Sequence, residues 1–326
     1  MSRVAVVFTG GTISTTFDPI AGGNVPTLDG AAILARTPGL DAIAEVTAID
    51  LGRTPASHFR FRDLARIEGT IRAALAELGT DGAVVVQGTD TIEETAFFWD
   101  LVLDSPKPVV VTGAMRSASQ AGYDGPANLR DAVRCAAAPA LRDAGVLVVL
   151  AGRIEAADTV IKTHTTAMDT FRSLEGEPVG QVVHGIVEAG ARGPRRHVKL
   201  GDPPEDVHLI TATTGIDGRL MDAATDAGAA GFVVAATGSG NTSPWLLEAA
   251  RRAIAANIPV VLASRCPSGP VEPAYAFPGG GRTWLDAGAI LAGHLSGPKA
   301  RVALALGIGA GLDHDGLSAL LADPVA

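Results

Sequence analysis

Val4-Ala5-Val6-Val7-Phe8-Thr9-Gly10-Gly11-Thr12-Ile13-Ser14 is the stretch whose reading decides the fold. A short β-branched apolar run ends in a glycine pair flanked by threonines, so a buried strand delivers two hydroxyls and a compliant backbone to a sheet edge. In open parallel α/β sheets ligands settle outside the carboxyl ends of the strands. The same strand, polar turn and helix recur downstream. Gly82-Ala83-Val84-Val85-Val86 breaks into Gln87-Gly88-Thr89-Asp90-Thr91 before a helix expected over 92–103. Pro108 to Thr112 runs into Gly113-Ala114-Met115-Arg116, and Asp124-Gly125-Pro126 predicts a capped helix to about Ala137 with proline in its first turn.

Strands are also expected over 45–51, 146–150 and near 185–188, and helices over 29–36 and 62–78. Strands alternating with helices through short links predict an α/β class, with a larger N-terminal parallel-sheet domain over 1–188, its sheet covered on both faces. Residues 15–28, rich in Gly, Pro, Asp and Thr without periodicity, read as a mobile loop. Residues 189–205 interleave arginines with glycines and prolines and are expected to form a linker with solvated basic side chains. A smaller C-terminal α/β domain is predicted over 206–326. Its strands fall at 207–211, 231–236 and 259–263, and its helices begin at Gly218 and span 244–257, 298–308 and 313–321.

Composition narrows the function. Hydrophobic residues make up 47% of the 326 and charged residues 19%, a globular rather than a disordered balance. A formal net charge of −9 offers no basic footprint, so neither nucleic acid nor an acidic membrane surface is expected as a partner. The two cysteines, Cys135 and Cys266, suggest neither a disulfide frame nor a metal site. No export signal or bilayer-spanning run is visible, and the expectation is a soluble, cytoplasmic protein.

Thr12, Thr89 with Asp90, and Lys162 stand at strand-to-loop junctions that converge if their strands share a sheet. A threonine hydroxyl needs a base before it can attack, and a lysine serves only when its surroundings favour the amine. Asp90 favours the ammonium instead. A hydrogen-bonded relay of Thr89, Lys162 and Asp90, in which lysine takes the proton as attack proceeds, suits acyl transfer from an amide or ester. Each piece has a plainer alternative: Thr89-Asp90-Thr91 as a helix N-cap, Lys162 as a surface lysine, Asp90 as a structural ion pair.

Four segments together resemble the bacterial-type L-asparaginases: Thr9-Gly10-Gly11-Thr12-Ile13; Gln87-Gly88-Thr89-Asp90-Thr91-Ile92-Glu93-Glu94; Thr112-Gly113-Ala114-Met115-Arg116 with Asp124-Gly125-Pro126-Ala127-Asn128-Leu129; and Lys162-Thr163-His164-Thr165-Thr166. The resemblance implies an asparagine amidohydrolase with Thr12 as primary nucleophile and Thr89, Asp90 and Lys162 as the assisting group. Asp90 would also hold the substrate's α-amino group. Gly11, Gly88, Thr89 and Ala114 would contact the substrate, the backbone near Thr89 and Ala114 binding the developing oxyanion. Ser57, within Arg53 to His58, best matches the residue that binds the substrate carboxylate. Asn241 matches a residue contributed by a neighbouring copy, so a homo-oligomer, a dimer of dimers, is implied, without metal or organic cofactor. The family's loop tyrosine after the first threonine has no counterpart in residues 15–28, the only tyrosines being Tyr123 and Tyr275. A glutaminase or other small-amide hydrolase is the nearest alternative, and a non-catalytic α/β small-molecule-binding module is the alternative from another class. Against the module, Gly10-Gly11 lacks the spacing of a dinucleotide or phosphate loop.

Overall fold

The computed structural model describes residues 1–324. The chain divides into two compact units, Met1–Arg195 and Arg196–Ala326.

In the first unit, β1 (Arg3–Phe8) leads through a single 3₁₀ turn at Thr12–Ser14 into β2 (Thr15–Asp18) and β3 (Gly23–Pro26), then α1 (Gly30–Ala35) and β4 (Glu45–Asp50). Next come α2 (Phe61–Ala76), β5 (Thr80–Val86), α3 (Ile92–Val102), β6 (Val109–Thr112), α4 (Gly125–Ala137) and β7 (Val146–Leu150). Five short strands close the unit: β8 (Arg153–Ala156), β9 (Val160–Lys162), β10 (Phe171–Ser173), β11 (Gly180–Val183) and β12 (Ile186–Ala189).

The main sheet has eight strands in the order β12-β11-β8-β7-β6-β5-β1-β4. Its five-strand core, β7 through β4, is parallel as the buried apolar runs require. Val4, Val6 and Phe8 of β1 pack with Leu129, Ala132 and Val133 of α4 on one face. Helices α2 and α3 lie against β5 and β7, with the Phe61 and Phe98 rings stacked at 6.1 Å.

Beyond β7 the sheet becomes mixed. Leu150 pairs with Arg153 across Ala151-Gly152, and Val183 with Ile186 across His184-Gly185. In both dipeptides the two residues have positive φ, 50° and 74° in the first and 50° and 79° in the second. Two left-handed residues in succession give a tight hairpin whose twist matches antiparallel strands, so antiparallel strands extend the parallel sheet there. Residues 15–28 are likewise not an unstructured loop: β2 and β3 pair as an antiparallel hairpin, Thr15 opposite Pro26.

The stretch expected to be a solvated linker is corrected as well. The Arg192 side chain is only 5% exposed and sits 2.7 Å from Asp100 and 2.8 Å from Asp158. Asp100, on the inner face of α3, accepts the Val146 amide at 2.9 Å, which ties the unit's last residues to its core.

The second unit is a four-stranded parallel sheet, β13 (Val207–Thr211), β14 (Gly231–Ala236), β15 (Val260–Ser264) and β16 (Ile290–Ser296), paired in that order. Around it stand α5 (Arg219–Asp226), α6 (Pro244–Ala255), α7 (Gly281–Asp286), α8 (Gly297–Gly309) and α9 (His314–Leu321). Both cysteines are free, Cys135 buried and Cys266 exposed. Among the described residues no helix is long and apolar enough to cross a membrane.

Candidate active site

The sheet register brings three of the polar junctions to one level. Phe8, the last residue of β1, lies beside both Asp50 and Val86, and Val86 beside Thr112. Pairing persists past the strand ends: the Thr9 amide donates to the Val86 carbonyl at 2.9 Å, and the Gln87 amide to Thr112 at 3.0 Å. The junctions after β1, β5 and β6 therefore share one edge, as expected for this class of sheet.

Glycine makes the convergence close. A Cβ on Gly11, whose φ is 92°, would lie 2.1 Å from the Gly88 amide nitrogen, and one on Gly113 would lie 2.6 Å from the Gln87 carbonyl oxygen. Gly88 in turn faces the Ala56 side chain. Backbone thus touches backbone where the Thr12 and Thr89 turns meet, and only residues without side chains permit it.

Thr12 opens a 3₁₀ turn that fixes its own backbone. The Ser14 amide and hydroxyl both donate to the Gly11 carbonyl, at 2.9 and 2.7 Å, and the Thr15 hydroxyl donates to the Thr12 carbonyl at 2.9 Å.

The proton relay forms as a set of contacts. Lys162 Nζ donates to Thr89 Oγ1 at 3.0 Å and to Asp90 Oδ1 at 2.8 Å. The plainer alternatives for two of these residues fail. Thr91 rather than Thr89 precedes α3, and neither caps it through a side chain. Lys162 is no surface lysine, its side chain being 15% exposed, whereas Asp90 is 75% exposed and keeps carboxylate surface open to a ligand. Lysine reaches threonine because β9 is pinned: the Lys162 amide donates to Glu93 Oε2 at 2.8 Å, and Lys162 pairs with Phe171 of β10.

Ala114 is fully buried beside this edge. Its loop is held by Asp124, whose carboxylate accepts the Met115 and Arg116 amides at 3.0 and 2.9 Å instead of capping α4. Asn128 donates to the Gly113 carbonyl at 3.0 Å and accepts the Ala151 amide, also at 3.0 Å. Ser57 is exposed in a short turn over Ala56–His58, whose Ala56 contacts the Gly88 loop. Asn241 lies in the second unit, in a turn closed by the Thr237 hydroxyl on the Asn241 carbonyl at 2.8 Å, and its own Oδ1 is buried without a hydrogen-bond partner. Among the described residues no group of three or more His, Cys, Asp or Glu side chains is placed to hold a metal ion.

Beside these two glycine-backed threonine turns and a half-buried lysine stand the results of sequence comparison. The Asparaginase N-terminal model matches residues 3–193, and the Glutaminase/Asparaginase C-terminal domain model matches residues 206–321. The chain belongs to the asparaginase family. It is an amidohydrolase. A probable L-asparaginase of Deinococcus radiodurans is 36% identical over 318 residues, 93% of this chain and 92% of the relative. L-asparaginase 2 of Escherichia coli is 34% identical over 244 residues, 70% of this chain and 66% of the relative. A glutamyl-tRNA(Gln) amidotransferase component of Methanosarcina mazei is 31% identical over 308 residues, 89% of this chain and 70% of that relative.

Glu93 and Tyr123 are the positions whose contacts around this candidate site the sequence did not disclose. Glu93 stood in the motif as one of two helix-start carboxylates, and nothing local told which would reach a strand 69 positions away. Tyr123 Oη donates to the Ile13 carbonyl at 2.7 Å, a contact spanning 110 positions.

Proposed function

We propose that the protein hydrolyses L-asparagine to aspartate and ammonia, with Thr12 as nucleophile. The observation that carries the reading is Lys162 Nζ bonded to both Thr89 and Asp90 beside the Gly11–Gly88 backbone contact. Thr12 Oγ1 attacks the side-chain amide carbon, the C–N bond breaks, and the Thr12 proton leaves with the nitrogen as ammonia; the oxyanion formed on the way is met by amides near Thr89 and Ala114, a kind of contact worth about 2.7 to 4 kcal/mol per donor. With Lys162 as the amine, the Thr89 hydroxyl donates to Lys162 Nζ, 3.0 Å away, which leaves Thr89 Oγ1 open to accept a proton from the attacking water. The water proton reaches Thr89 as the Thr89 proton passes to the Lys162 amine, and Asp90, 2.8 Å from Nζ, stabilises the resulting ammonium. Water cleaves the threonyl ester and releases aspartate. Ser57 binds the α-carboxylate, Asp90 the α-ammonium, and Asn241 of a neighbouring copy completes the site.

The amidotransferase relatives favour a second reading, ammonia release from another amide, glutamine first. One methylene in a pocket discriminates by about 10- to 200-fold, so comparing kcat/KM for asparagine and glutamine decides between them. A clear glutamine preference overturns the substrate assignment. Replacing Thr12 and Thr89 separately by valine tests the chemistry: ammonia release that survives both changes refutes the mechanism.

A further inference from the structure

We propose that Tyr123 is a positioning residue for the Thr12 turn, and that the Tyr123-Asp124 pair holds this turn and the Ala114 loop in one fixed relation. The inference rests on the reading of Thr12 as nucleophile.

Three observations carry it. Tyr123 Oη donates at 2.7 Å to the carbonyl of Ile13, the middle residue of the 12–14 turn, which is fully buried. The ring packs over Gly125, where a Cβ would lie 2.6 Å from three of its atoms and only glycine leaves it room. Asp124, the next residue, accepts the Met115 and Arg116 amides that follow Ala114. One dipeptide therefore grips the nucleophile's turn with its first side chain and the oxyanion loop with its second. The seam continues outward: the Ala118 amide donates to the Thr15 carbonyl and the Phe17 amide to Ser119 Oγ, both at 2.9 Å.

Tyr123 acts here as a donor and not as a base. Burial, and then the Asp124 charge, push its phenol up to about 12 against the opposing pull of Arg36. Its hydroxyl is committed to a backbone carbonyl, so it sets where the Thr12 turn stands rather than taking the Thr12 proton. Misplacing a reacting atom by about 1 Å can cost roughly a hundredfold in rate.

Tyr123→Phe removes the hydroxyl and keeps the ring. The expected result is a kcat for asparagine lower by about ten- to a hundredfold, with KM nearly unchanged and the kcat pH profile unaltered in shape. Rates are read well below the variant's own melting temperature, so that a loss of stability is not mistaken for a loss of rate. Wild-type kcat in the variant overturns the proposal, as does a raised KM at constant kcat. Disappearance of a limb of the pH profile also overturns it, since that would make Tyr123 a titrating catalyst. Thr12→Ala runs in parallel. If it is inactive while Tyr123→Phe turns over normally, only the positioning role fails; if it retains ammonia release, the nucleophile reading falls and the inference with it.

Discussion

Lys162 is the residue at which structure and chemistry are most tightly joined, because one ammonium spans a buried hydroxyl and an exposed carboxylate. Lys162→Met keeps the apolar stem and deletes the proton carrier; kcat for asparagine is expected to fall by about 10²- to 10⁴-fold, while the melting temperature changes little because Asp90 regains water. A steady-state ammonia assay alongside a thermal melt checks both halves. Arg192 is the opposite case, a charge whose importance is to stability. Burial alone would lower its pKa, but Asp100 and Asp158 outweigh that and raise it above the ordinary arginine value. Arg192→Met leaves Asp100, 2% exposed, with the longer Arg195 pair at 3.5 Å in place of a bidentate partner, and urea unfolding should show a loss of up to about 3–5 kcal/mol. Asp131 gives a pH-dependent case. Burial raises its carboxyl pKa despite Arg134, so the folded state binds that proton more tightly than the unfolded chain does. The stabilisation it contributes is present below the unfolded pKa and lost as pH rises through the folded one. Asp131→Asn is therefore expected to be more stable than wild type at neutral pH, with the difference closing near about pH 3, where both side chains are neutral. Melting temperatures at the two pH values test it.

At the scale of elements, the strand-turn-helix units were legible because their apolar runs are short, β-branched and cut off by glycine and threonine. The junctions after β1, β5 and β6 could be aligned from sequence once a single parallel sheet was assumed, and the register places Phe8, Val86 and Thr112 level. Strands β11 and β16 could not be read so easily. β11 is at most half-buried along its length, and β16 carries a left-handed Gly293 where its register with β15 shifts, so neither shows a continuous buried apolar run. The hairpins around Ala151-Gly152 and His184-Gly185 escaped because Ala and His are poor advertisements for positive φ. Arg192 in a Gly- and Pro-rich stretch looked solvated, since its partners Asp100 and Asp158 lie 92 and 34 positions back, at separations local pattern does not reach. Gly11 is where element geometry meets the site. Gly11→Ala would need a Cβ 2.1 Å from the Gly88 nitrogen at a φ of 92°, so the β1 and β5 turns must separate. Ammonia release should fall below a hundredth of wild type, roughly the penalty for an ångström of misplacement, even in the fraction that circular dichroism shows to be folded.

At the scale of the whole molecule, the question is whether one copy makes a complete site. Asn241 belongs to the second unit, and its amide oxygen is buried without a partner. Under the proposed function it serves a neighbouring copy, which a mixing experiment can separate from service within its own chain. Thr12→Ala and Asn241→Ala are each expected to be weak or inactive alone. When equal amounts are dissociated, mixed and reassembled, a mixed pair holds one site lacking both residues and one lacking neither. In a two-fold assembly half the pairs are mixed and half of their sites are intact, so activity should return to roughly a quarter of the wild-type value per chain. If Asn241 acts within its own chain, every mixed site lacks one residue or the other and no activity returns. Diluting the wild-type protein adds an independent reading: activity per chain should fall as the assembly dissociates, whereas a site complete in one copy would keep constant specific activity.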